Sequence, residues 1–195
     1  MAFQNTAMSV ANTQLIGGFQ LFYATTAGGS WTNLGLGRGF TFTEEITKYN
    51  SQANNGPDPL EGVAKQEAVA TFELIEWYPP SWDAMRGGLL DIENASSVST
   101  YISGTPTANV FSTGGLQELA AKAYKFVNTK KVSASTVQTI IVLYKAYIDS
   151  GLAFTSVSDN AEDPITIISH TIRAKCDTGR AAGDQLLHFE TQMGA

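Results

Sequence analysis

Two histidines, one cysteine and a few close carboxylates are what this chain offers toward chemistry. A Cys–His pair acts as a nucleophile when a base ionises an accessible thiol. Between Ile165 and Cys176, however, Ile168, His170, Ile172, Ala174 and Cys176 alternate with Ser169, Thr171, Arg173 and Lys175. A strand of that period puts His170 and Cys176 on its apolar face, where a thiol is inert and an imidazole is a satisfied core group. Metal binding by His170 or His188 needs carboxylate partners at ligand spacing, and no such spacing is present. Asp159, Glu162 and Asp163 lack the ligand order and the glycine of an EF-hand loop, and read as a solvated turn. Glu44 and Glu45 are adjacent, so on a strand they face opposite ways and make a poor acid/base pair; Glu73 and Glu76 are the other candidates for paired carboxylates. Gly35, Gly37 and Gly39 lack the following helix of a dinucleotide fingerprint and read as a turn entering the strand at Phe40. The chain is expected to be non-catalytic, with no cofactor and no metal.

Charge and composition narrow the partners. The chain has 195 residues, a formal charge of −6 and only 15% charged residues, a balance that does not suit a phosphate-binding surface. Lys122, Lys125, Lys130 and Lys131 form the nearest thing to a basic cluster; interleaved with apolar residues, they read as a solvated face. No run approaches the roughly 18 apolar residues of a membrane-crossing helix, so no membrane association is expected. The N-terminal residues MAFQNTAMSVANTQ have neither a basic start nor an apolar core, which argues against a secretory signal and for synthesis in the cytoplasm. A single cysteine agrees with a reducing compartment.

The elements that must position these residues are mostly strands. Residues 1–18 read as a polar arm, 19–190 as one β-domain, and 191–195 as a tail. Phe19–Thr25 and Arg38–Thr47 read as strands, with Phe40 and Phe42 on one face of the second. Turn formers crowd residues 48–64, giving a long loop across 44–63. Val69–Trp77 is a strand closed by Pro79-Pro80, and Ser81 to about Leu90 is a short helix. Trp82, Met85 and Leu89 form its apolar stripe and pack on the sheet. Val98–Ser103 is a short strand. Leu116–Val127 fits either helix or strand spacing, and Thr136–Ile148 is a long β-branched strand. That run has little edge protection, so it either pairs with a neighbouring copy or lies buried at the centre of a sheet. Leu152–Ser158 pairs back on it across Ser150-Gly151. Asp184–Glu190 is the last strand. The fold class is mainly β: a sandwich or barrel with a flanking short helix.

The runs EAVATFELIEWYPPSWDAMRGG and ITIISHTIRAKCDTGRAAGDQLLHFE resemble the tail tube (major tail) proteins of tailed bacteriophages. In that family a strand like Val69–Trp77 leads into a short helix ending in Gly-Gly, as at Gly87-Gly88. A later strand ends as Arg173-Ala174-Lys175-Cys176-Asp177 does, followed by a turn and a short last strand. The resemblance covers the middle and the C-terminal third and rests on pattern and order. It implies a virion structural protein of the tail, made in the host cytoplasm, whose inner strands join those of its neighbours in a ring-shaped barrel, usually hexameric. It further implies stacking of rings through the long loop, with Glu44, Glu45, Tyr49, Asn54, Asn55, Asp58 and Glu61 as candidates, and through the terminal arms. The implied partners are further copies of the chain, tape-measure, tail terminator and baseplate or tip proteins, and DNA that passes through the lumen without specific binding. The competing expectations are a capsid decoration or tail terminator protein, a type VI secretion-like tube protein, and an enzyme on a β-sandwich.

Overall fold

The computed structural model describes residues 18–51, 60–75, 85, 90–93, 110–113, 120–132, 135–151, 154–155 and 167–191. Their order is β1 (Phe19–Ala24), β2 (Thr32–Ser51), β3 (Leu60–Leu74), β4 (Leu90–Glu93), β5 (Val110–Thr113), β6 (Lys122–Val132), β7 (Ser135–Ile148), β8 (Phe154–Thr155), β9 (Ile167–Lys175) and β10 (Leu187–Thr191). The large sheet is antiparallel and runs β10-β7-β6-β1-β2-β3-β9-β8, with β7 also bonded to β9. That extra pairing closes a barrel: β7, β6, β1, β2, β3 and β9 return to β7 through Ala146–Ala174 and Ile148–Ile172. The seam is shared. β10 occupies β7 from Thr139 to Leu143, while β9 takes it from Ala146 to Ile148. β4 and β5 form a separate two-stranded sheet.

Inward-facing residues of β1, β2, β3, β6, β7 and β9 meet in one core. Phe19 and Leu21, Ala68, Ala70, Phe72 and Leu74, Tyr124 and Phe126, Ile141 and Leu143, and Ile172 and Ala174 all belong to it. Phe19, Phe40, Phe72 and Phe126 cluster with ring centroids 4.7–5.8 Å apart, in tilted and edge-on contacts.

The glycine run is not a turn; it lies inside β2 and bends it. Gly35 and Gly39 have positive φ, 116° and 63°, and each sits at an irregularity in the pairing. Gly39 and Phe40 together oppose Phe72, so the extra residue moves the inner face from Gly37 to Phe40 and Phe42. A second bulge, near Tyr144, does the same on β7, where inward residues change from Ile141 and Leu143 to Ala146 and Ile148.

Several sequence expectations change. The strand read from Arg38 to Thr47 continues to Ser51, and residues 48–51 and 60–63 are strand rather than loop, because they complete each other's backbone hydrogen bonds in the β2–β3 ladder; the expected long loop does not start at 44. β7 is a central strand with partners on both edges, so it does not offer an edge to a neighbour. Phe154–Thr155 pairs with β9 instead of β7, whose edge there is already taken. The ambiguous stretch is strand from Lys122 onward. Of the expected helix, Met85 has helical backbone and is 1% exposed within the core, and Tyr124 Oη donates to its carbonyl at 2.5 Å. Trp82 and Leu89 lie outside the described residues, as do Val98–Ser103 and the segments 1–17 and 192–195.

Candidate assembly surface

β2 and β3 outrun the barrel. β1 covers β2 only as far as Gly37, and β9 covers β3 only from Glu67. Beyond the Glu45–Glu67 pair, the ladder from Ile46–Gln66 to Ser51–Leu60 has no other strand beside it among the described residues. At ~3.3 Å per residue this arm projects about 17 Å. Three of the large apolar residues exposed on the chain belong to it: Ile46 at 52%, Tyr49 at 49% and Val63 at 58%. By the register Ile46 and Val63 share one face of the ladder and Tyr49 lies on the other, so the arm is a candidate contact surface on both sides. Tyr49 lies across Gly62, where an added Cβ would fall 2.5 Å from its ring, so the glycine is what lets the ring lie flat on the ladder.

The candidate residues separate cleanly. Glu44 is exposed and accepts a hydrogen bond from Gln66 Nε2. Glu45 is exposed on the opposite face, beside its register partner Glu67. Glu61 opposes Asn50 in the ladder. Asn54, Asn55 and Asp58 lie outside the described residues, as do Glu76, Asp159, Glu162 and Asp163.

The arm's root carries an ion cluster that single-strand patterning does not reveal. Arg173 on β9 places Nε 2.9 Å from Asp149 Oδ2 and Nη1 3.2 Å from Glu67 Oε2. Lys65 Nζ lies 2.8 Å from the same Glu67 oxygen. Glu67 is 3% exposed, yet it is covered by long side chains on the barrel's outer face rather than by depth in the core. Hydrogen bonding from Lys65, and then from Arg173, therefore outweighs desolvation and holds its carboxyl below the ordinary range. The Asp149 and Glu67 carboxylates in turn push the Arg173 pKa up. The only sequence signal was the polar face Ser169–Thr171–Arg173–Lys175; the partners come from other strands.

A second surface lies at β10. Its residues from His188 to Thr191 are all exposed, Phe189 at 56%. Among the described residues only β7 pairs with it, so its other edge is open. The β9–β10 connection holds this strand in place: Arg180 stacks on Tyr144 at 3.7 Å and bonds Asp184 at 2.6 Å, while Tyr144 Oη donates to Asp184. Those bonds, Tyr144 first, lower the Asp184 pKa.

Among the described residues, the chemistry-bearing side chains do not converge. His170 is buried against Phe72, with ring centroids 5.5 Å apart, whereas His188 is exposed on β10, 3.7 Å from Glu190. Cys176 packs beside the core, and its Sγ donates to the Gln66 carbonyl at 3.6 Å. Glu73 pairs with Arg38 at 3.2 Å. Lys125 is not simply solvated: its ammonium lies 4.8 Å from the Phe22 ring and 4.7 Å from Trp31, and burial lowers its pKa.

The sequence matches no protein-family model and no curated protein. Solved structures of similar chain path include the following two. The anti-feeding prophage cap (AFP tube terminating cap) superposes with a TM-score of 0.46 at 10% identity, covering 97% of this chain and 99% of that one. A chain of the PVC sheath-tube complex of an extracellular contractile injection system, in its extended state, gives 0.41 at 10% identity, with coverages of 89% and 87%.

Proposed function

We propose that the chain is a non-enzymatic structural subunit of a phage-tail-like tube, assembling with its own copies into stacked rings around a bore through which DNA passes. The observation that carries this reading is the β2–β3 arm, which extends past the closed barrel and exposes Ile46, Tyr49 and Val63. A monomer gains nothing by holding such side chains in water on a two-stranded projection.

The side of β10 away from β7, which no other strand among the described residues pairs with, adds a second, different surface. Contacts between unlike surfaces of successive copies are heterologous, and they close into rings or continue as filaments. The resemblance of the Glu67–Gly88 and Ile165–Glu190 runs to tail tube proteins supports the same role. Within this reading the tape-measure, terminator and baseplate or tip proteins are partners at the ends of the tube, and the virion tail is the location. The formal charge of −6 supports a bore that does not trap phosphates. On the β2–β3–β9 face each arginine is already matched: Arg38 by Glu73, and Arg173 by Asp149 and Glu67.

Sedimentation velocity of the purified full chain over a range of concentrations tests the proposal. Growth from monomer to large species supports it. A monomer that persists at high concentration overturns it, and a single ring-sized species that grows no further points instead to a subunit that terminates a tube.

A further inference from the structure

The register at the arm's root creates an electrostatic problem. Glu45 and Glu67 are direct partners across β2 and β3, and like charges directly opposite one another destabilise an antiparallel pair. Glu67 also belongs to the last β3–β9 pair, with Lys175, before the arm leaves the barrel. Lys175 does not complete an ion pair with it; its ammonium lies 5.3 Å from the centre of the Tyr147 ring.

Arg173 resolves the conflict from the barrel side. Its Nη1 lies 3.2 Å from Glu67 and 4.0 Å from Glu45, while Nε bonds Asp149 at 2.9 Å. Asp149 is itself fixed, since its N–H donates to the Thr171 carbonyl at 2.8 Å and Ser150 Oγ accepts from Thr171 N–H at 3.0 Å. One guanidinium thus ties β2 and β3 to β9 and to the end of β7, at the place where the ladder loses its neighbours. A planar fork suits this task, because it serves carboxylates in different directions at once. Lys65 reaches Glu67 too, but it rides on the arm and cannot fix the arm to the barrel.

We propose that Arg173 is a positioning residue for assembly: by holding Glu45 and Glu67 against Asp149, it fixes the direction in which the β2–β3 arm leaves the barrel. The consequence for assembly rests on the tube-subunit reading; the effect on the arm does not. Lys65 from the arm, Glu45 and Glu67 at its root, Arg173 and Lys175 from β9, and Asp149 after β7 are the charged groups of this junction.

Spin labels at Ile46→Cys and Thr136→Cys, in a Cys176→Ser background, report the arm-to-barrel distance by pulsed dipolar spectroscopy. Arg173→Met should at least double the width of that distribution, with far-ultraviolet circular dichroism unchanged, and should raise the concentration needed for assembly at least tenfold. Adding Glu45→Gln and Glu67→Gln to Arg173→Met removes the repulsion and should narrow the distribution again. Glu67→Arg in the otherwise unaltered chain provides a second probe should Arg173→Met lose the fold, and it too should broaden the distribution. An arm that keeps its distance and width in the variants that fold overturns the proposal. A parent chain that never assembles defeats the tube-subunit reading alone, because the distance measurement still decides the role of Arg173.

Discussion

At Gly37 the barrel leaves no room for a side chain. An added Cβ would stand 2.3 Å from Phe19 Cζ on one side and 2.9 Å from the Glu73 carbonyl oxygen. The Phe19 ring can retreat only into Phe40, Phe72 and Phe126, and backbone cannot retreat at all. Gly37→Ala should therefore destabilise the fold by about 1–3 kcal/mol, read as a lower midpoint in chemical denaturation. An unchanged midpoint would mean that Phe19 does not lie over this strand. Glu67 gives a pH prediction at the same scale. Its pKa is lowered on folding, so the stabilisation it contributes is full above the ordinary carboxylate pKa and is lost as pH falls through the depressed value. Hydrogen-exchange protection of the arm amides, corrected for the intrinsic exchange rate, should be full above the ordinary carboxylate pKa and decline progressively as pH falls from there to the depressed value; a decline complete before the ordinary carboxylate pKa is reached would place Glu67 outside the ion cluster. The faces of His170 and Cys176 were legible from the alternation of their own strand. The surroundings of Glu67 were not, because its cationic partner Arg173 is more than a hundred positions away and reaches it only through the β3–β9 register.

Among the elements, the arm separates what patterning can read from what it cannot. A half-buried strand announces itself by alternation, as around Ile172, because one face avoids water. Past Thr47 the ladder is exposed at Lys48, Tyr49 and Val63, so nothing enforces that period and the turn formers between its two strands dominate the local reading. The strand persists because β2 and β3 satisfy each other's backbone. Bulges hide alternation in another way. At Gly39 and near Tyr144 one extra residue exchanges the two faces, so glycines that look like a turn are the joints of a continuous strand. If the arm's apolar residues serve contact between copies, then Ile46→Lys with Val63→Lys should abolish assembly in sedimentation while moving thermal stability little. Exposed positions like these usually shift stability by no more than about 0.5 kcal/mol. Wild-type assembly by this double variant would remove the arm from the interface.

For the whole molecule, closing the sheet through β7 and β9 satisfies most backbone edges within one chain; among the described residues the arm, the far sides of β10 and of the short β8, and the two-stranded β4–β5 sheet lie outside that closure. A mainly β architecture was legible because β-branched runs and turn residues recur along the sequence. Which strand would be central was not, since β7 carries the same composition whether its edges are filled from within or by another copy. Two unlike edges on one compact barrel favour head-to-tail assembly over a symmetric dimer, and rings that stack require both at once. Negative-stain electron microscopy of the purified full chain, concentrated until light scattering rises, tests this most directly. The account predicts hollow rings and stacked tubes of uniform diameter. Closed symmetric dimers, or isolated particles the size of one barrel at every concentration, would contradict it.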